Sequence, residues 1–116
     1  MGRRKTEARI ERMRGAPIAL PKLPDDPVEA LIVRARKIRD RGDIRRTLVL
    51  LRQACALDEW RARSFTILGA LLAQEGMFDE AQRALNHARW LRARAGEKAR
   101  AAVTERLANL LVRVAA

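Results

Sequence analysis

Shifted by 34 residues, this chain superposes on itself. Gly42 falls on Gly76, Leu51 on Leu85, Ala54 on Ala88 and Leu57 on Leu91. Leu31 meets Phe65, Ala35 meets Gly69, Ile38 meets Leu72, Ile44 meets Phe78, and Thr47 meets Ala81. A fixed period of this length, with apolar residues at helical spacing and a glycine between two such runs, is the signature of stacked helical hairpins. One hairpin cannot bury its own apolar face, so neighbouring hairpins must share a core.

Local signals place the helices. At "DDPVEA", Asp26 suits the N-cap, Pro27 the first helical position, and Glu29 the return arm of a capping box. The first helix runs to about Arg41 and stops at Gly42; Asp43 caps a second, "IRRTLVLLRQACAL". A third covers "EWRARSFTILGALLAQE" and stops at Gly76, where glycine takes the left-handed conformation that ends a helix. A fourth starts near Phe78 or Asp79 and ends at Gly96, and the last spans about Glu97 to Val114. No segment alternates with period two, and Phe65, Phe78, Trp60 and Trp90 are the only aromatics. The fold class is therefore all-α, with a helical domain over 25–116. Residues 1–24 read as a basic arm. "RRKTEARIERMR" is too short for a stable isolated helix, and Pro17, Pro21 and Pro24 break any continuation.

The second period, through Phe65, Leu68, Gly69, Leu72, Phe78, Ala81, Leu85 and Ala88, resembles the tetratricopeptide repeat. The first period is a weaker copy, with Arg34 and Thr47 in place of the usual leucine and alanine. Both lack the closing proline, where Glu59 and Ala93 stand. The resemblance spans residues 28–95 and implies antiparallel hairpins stacked as a short right-handed solenoid. The last helix keeps Ala99, Ala102 and Val103 of the pattern, departs at Arg106 and Leu110, and reads as a cap. In this register Gly69 faces Ala81 or Leu85. The first unit's Ala35 at the matching site predicts that Gly69→Ala is near neutral, while Gly69→Leu overpacks the contact. Two units and a cap fall below the about three needed for a self-sufficient stack. Either the arm and cap complete the core, or another chain does, in an oligomer or obligate complex.

The resemblance also implies a concave groove lined by the first helix of each unit. By register it comprises Glu29, Ile32, Arg36, Arg39 and Asp40; then Arg63, Thr66, Ala70, Ala73 and Gln74; then Glu97, Arg100, Thr104 and Leu107 from the cap. Arg36, Arg39, Arg63 and Arg100 make this face positive, and Ala70 and Ala73 leave room for a peptide. The family's clamp for a C-terminal carboxylate is missing, since Ile32, Arg36 and Ile67 stand at its sites. Trp60 and Trp90 are expected to pack against a neighbouring unit or the cap; an exposed one becomes an interface anchor.

Charge and chemistry narrow the function. The net charge is +11, and the first 24 residues hold seven Lys or Arg against two Glu. Such a balance attracts polyanions, and Arg3, Arg4, Lys5, Arg9, Arg12 and Arg14 are the candidate phosphate contacts. Arginine outnumbers lysine 21 to 4, a bias that a GC-rich coding sequence also produces. One cysteine, Cys55, excludes an internal disulfide and fits a reducing compartment. No apolar run approaches the ~20 residues of a membrane span, and "GAPIALPKLP" is too broken for a secretory signal, so the expectation is cytoplasmic. His87 stands alone, no phosphate loop or metal-ligand spacing occurs, and Asp25–Asp26 and Asp79–Glu80 mark helix starts. No catalytic residue, metal or cofactor is expected. The reading is a non-enzymatic adaptor, bacterial by its small size and Arg/Ala bias, that binds an acidic or amphipathic segment of a partner protein. The alternatives are a nucleic-acid-associated protein using its basic arm, and a small secretion-type chaperone for an aggregation-prone helix.

Overall fold

The computed structural model describes residues 23–115. The arm up to residue 22, with the six candidate phosphate contacts, lies outside them. Five helices follow one another: α1 (Pro27–Asp40), α2 (Ile44–Leu57), α3 (Ala62–Gln74), α4 (Phe78–Arg94) and α5 (Lys98–Ala115). No strand occurs among the described residues. Each helix packs on the next in chain order, most closely in the pairs α1–α2, α3–α4 and α4–α5.

The three tight turns share one device. Gly42, Gly76 and Gly96 adopt φ of 87°, 77° and 80°. The residue after each glycine returns its N–H to the carbonyl five positions back: Asp43 to Ile38 (3.3 Å), Met77 to Leu72 (2.9 Å) and Glu97 to Arg92 (2.8 Å). This Schellman closure satisfies carbonyls that the helix end would orphan and reverses the chain in a few residues.

Helix starts are less uniform. The Asp26 carboxylate accepts from the N–H of Val28 (2.9 Å) and Glu29 (3.3 Å), with Pro27 at the first helical position. The expected return arm of the capping box does not form, because the Glu29 carboxylate accepts from Arg63 Nε (3.0 Å) and Nη2 (3.3 Å) instead. Asp43 caps α2 by accepting from Arg46 N–H. The third helix starts at Ala62 rather than Glu59. Asp58 holds the preceding turn, its carboxylate accepting from Trp60 N–H at 3.0 Å.

Positions 34 apart are buried alike. Leu51 and Leu85, Ala54 and Ala88, Thr47 and Ala81, and Ala35 and Gly69 all lie inside. Leu57 is exposed where its mate Leu91 is buried. The core runs through Val28, Ile32, Leu48, Leu51, Leu68, Leu71 and Leu72, and α5 reaches it through Leu111. At Gly69, as expected from the register, the helices approach so closely that an added Cβ would lie 2.7 Å from Leu85 Cγ and 2.9 Å from its Cδ2. It would also lie 3.3 Å from the Ala81 carbonyl oxygen.

Two polar features of this core carry predictions. The Ser64 hydroxyl is fully buried and has no hydrogen-bond partner among the described residues. Removing an orphan donor relieves its desolvation cost, and alanine is the better helix former. Ser64→Ala should therefore raise stability by about 1 kcal/mol, read as a higher midpoint in urea unfolding; an unchanged or lower midpoint refutes the orphan.

Arg52 ties α2 to α4, its Nε and Nη2 bonding the Glu80 carboxylate at 2.8 and 2.9 Å. These hydrogen bonds hold the Glu80 carboxyl below its ordinary 4.5. In the same way, Arg61 holds the Asp26 carboxyl below its ordinary 3.8. A carboxyl depressed in the fold stabilises above its unfolded value, and that contribution is lost as pH falls through the folded one. The Arg52 and Glu80 side chains are 41% and 32% exposed, so about 0.5 kcal/mol is expected from the pair. Thermal melts of Glu80→Gln should sit slightly below the parent at neutral pH and converge with it between about pH 5 and 3. Parallel curves would show that the pair contributes nothing.

Candidate partner-binding surfaces

The helices gather part of the expected groove and disperse the rest. Arg36 and Arg39 on α1 stand across from Ala70 and Gln74 on α3. Between them is a cleft of about 230 Å³ whose floor includes Ala35, Leu51, Ile67 and Leu71. The Arg39 guanidinium donates to the Gln74 side-chain oxygen, which joins the two rims without neutralising the charge. Among the described residues no carboxylate pairs with Arg36 or Arg39. The cleft thus offers an apolar floor under two cationic groups.

Arg63 and Arg100 line a different depression, with Trp60, Leu91 and Arg92, where α3 starts and α4 gives way to α5. Arg63 is committed to Glu29, 34 residues away on the neighbouring unit, and Arg100 lies 3.9 Å from Glu97. Thr66, half-buried, spends its hydroxyl on the Ala62 carbonyl (2.9 Å). Ala73 is half-buried against the core.

Two of the expected groove residues do not reach the surface. Ile32 has no exposed area and is among the largest fully buried side chains of the core. Thr104 is equally buried; its hydroxyl donates to the Arg100 carbonyl (2.8 Å) and accepts from Arg92 Nη1 (2.7 Å), tying α5 to α4. Register transfer fails at both because it leaves one face of each first helix to solvent. Ile32 of α1 is instead enclosed in the core, and Thr104 of α5 turns towards α4, on which the last helix packs.

The tryptophans also depart from expectation. Trp60 is 66% exposed and Trp90 46%. Rather than inserting into a neighbouring unit, they lie against each other with ring centroids 6.0 Å apart. The Arg94 guanidinium carbon sits 5.2 Å from one ring centre and 5.3 Å from the other, within cation–π range of both. His87 lies 6.0 Å from Trp90 and meets the edge of Phe65 at 4.3 Å. Trp90 and Arg94 share a helix face at i, i+4, the one part of this ledge that spacing discloses. Trp60 joins it only because the Asp58 turn delivers it there.

Cys55 and His87 both border a shallow depression with Glu59 and Phe65. Burial pushes the Cys55 thiol up to about 11, so at neutral pH it is a packed, protonated thiol with little nucleophilicity. His87 Nε2 lies 3.0 Å from the Glu59 carbonyl oxygen, to which it donates as Nε2–H. Among the described residues no three His, Cys, Asp or Glu side chains converge on a point that could hold a metal ion. None of the described helices is long and apolar enough to cross a membrane. Comparison with known proteins finds no matching family model and no match among curated proteins.

Proposed function

We propose that this chain is a non-enzymatic protein-interaction adaptor of the tetratricopeptide-repeat type, working in the cytoplasm. It holds an acidic or amphipathic segment of a partner protein in the α1–α3 cleft. The observation that carries this reading is the pairing of an apolar floor with Arg36 and Arg39, neither of which has a carboxylate partner among the described residues. The 34-residue repeat of buried positions and the close contact at Gly69 support the family reading. The exposed Trp60–Trp90 pair supports an interaction role, because large aromatics dominate binding energy where they become desolvated.

Fluorescence anisotropy with acidic amphipathic peptides, against sequence-matched basic ones, tests the proposal. The acidic set should bind, and the double variant Arg36→Glu, Arg39→Glu should lose about tenfold or more in affinity. Both residues are exposed, so the variant keeps its fold. Equal binding of both peptide sets, or no effect of the double variant, rejects the cleft. A steep salt-dependent affinity for generic DNA or RNA with no peptide binding favours the nucleic-acid reading instead.

A further inference from the structure

The last helix presents an apolar face that nothing in the described structure covers. Ala101, Thr104 and Ala108 turn inward, and Leu111 reaches the core. On the adjoining face Val103, Leu107, Leu110 and Val114 are 53%, 43%, 55% and 61% exposed. Their spacing of four, three and four residues is the seam of a helix made to lie along another helix. The internal repeat shows which helix is missing. Thirty-four residues before Val103 stands Gly69, and Leu85 and Ala81 of α4 press directly on it. The face of α5 that bears Val103 is therefore the one that, on α3, is closed by the second helix of the hairpin.

Charge selects the occupant. Arg106 and Arg113 flank the seam on its outer side, and Arg100 follows its line towards the start of α5. A second copy laid antiparallel would match Val103 with Val114 and Leu107 with Leu110, but it would also bring Arg106 of each copy beside Arg113 of the other. Residues 1–22 carry seven Lys or Arg against two Glu and meet the same repulsion. We infer that this face docks an amphipathic helix of a partner protein, one with leucine-like residues on its seam and Asp or Glu beside them. That helix lies antiparallel on α5 as α4 lies on α3. The surface is separate from the α1–α3 cleft, so either assignment stands without the other.

The test uses the full chain and two designed helical peptides with the same Leu seam, one flanked by Glu and one by Lys. Binding is followed by anisotropy at low salt, and mass by light scattering. The Glu peptide should bind about tenfold tighter than the Lys peptide. Arg106→Glu with Arg113→Glu should reverse that preference, and Leu107→Ser with Leu110→Ser should abolish binding while leaving the thermal melt in place. All of these measurements are made in an Arg36→Glu, Arg39→Glu background, in which the cleft no longer takes acidic peptides, so that binding at this surface is read apart from binding in the cleft. Absent binding, or equal binding of both peptides, overturns the inference. So does a concentration-dependent dimer that Leu107→Ser with Leu110→Ser dissociates, since a second copy would then be the occupant. Peptide binding that appears only after Ile10→Ser with Met13→Ser in the full chain overturns it too, because the chain's own start would then fill the seam.

Discussion

Gly69→Leu should unfold this protein at temperatures the parent survives. The first added carbon already arrives 2.7 Å from Leu85 Cγ, inside any tolerable contact, and Leu85 is itself buried with nowhere to retreat. The rest of a leucine side chain must drive α3 and α4 apart, and overpacking of this kind costs about 3 kcal/mol or more. For a domain of this size each kcal/mol lowers Tm by roughly 4–8 °C. Gly69→Ala is the sharper case. Helix propensity favours alanine by about 1 kcal/mol, and Ala35 at the matching site suggests neutrality. The contact geometry reverses that expectation. The atoms met are the branch point of a buried leucine and, at 3.3 Å, a backbone oxygen, so a single methyl forces Leu85 to repack or the two helices to shift. Loss of tight packing then outweighs propensity, and Gly69→Ala should melt below the parent by several degrees. A variant that melts higher would show that the hairpin has slack, and that its two units are isosteric after all.

Ile32→Ala should cost about 2–5 kcal/mol, seen as a fall in the urea midpoint with little change in slope. Ile32 is wholly enclosed, and truncation leaves a void between α1 and its neighbours that close-packed side chains refill only in part. The alternative assignment, a side chain lining the groove, predicts near-parental stability with weakened partner binding. The two outcomes are opposite in both measurements, so one variant decides where α1 turns its apolar face.

Much of the architecture was legible before any coordinates. The 34-residue period, the glycines at 42, 76 and 96, and Asp26 and Asp43 at helix starts act within a few residues of themselves, and they mark the hairpins directly. Gly69 was legible in its partner, Leu85, but not in its tolerance. That depends on tenths of an ångström between two axes. The candidate site was legible only in part. Arg36, Arg39, Ala70 and Gln74 come together as the register implies, because they sit on adjacent first helices one period apart. Ile32 and Thr104 share that register and are lost to the interior.

Hairpin order, turn positions and the residue types of the core follow from local rules: a glycine with positive φ, a carboxylate at a helix start, an apolar stripe every three or four residues. Which side of each stripe meets solvent does not, because helices at both flanks of a first helix compete for its surface. Nor does the commitment of a charge. Arg63 and Arg39 carry the same guanidinium, yet Arg63 is neutralised by Glu29 of the adjoining unit while Arg39 meets only a neutral amide. The same holds for the ledge of Trp60, Trp90 and Arg94 and for the uncovered seam of α5. Both arise where separate helices end or fail to meet, and only the positions of whole helices in space decide that.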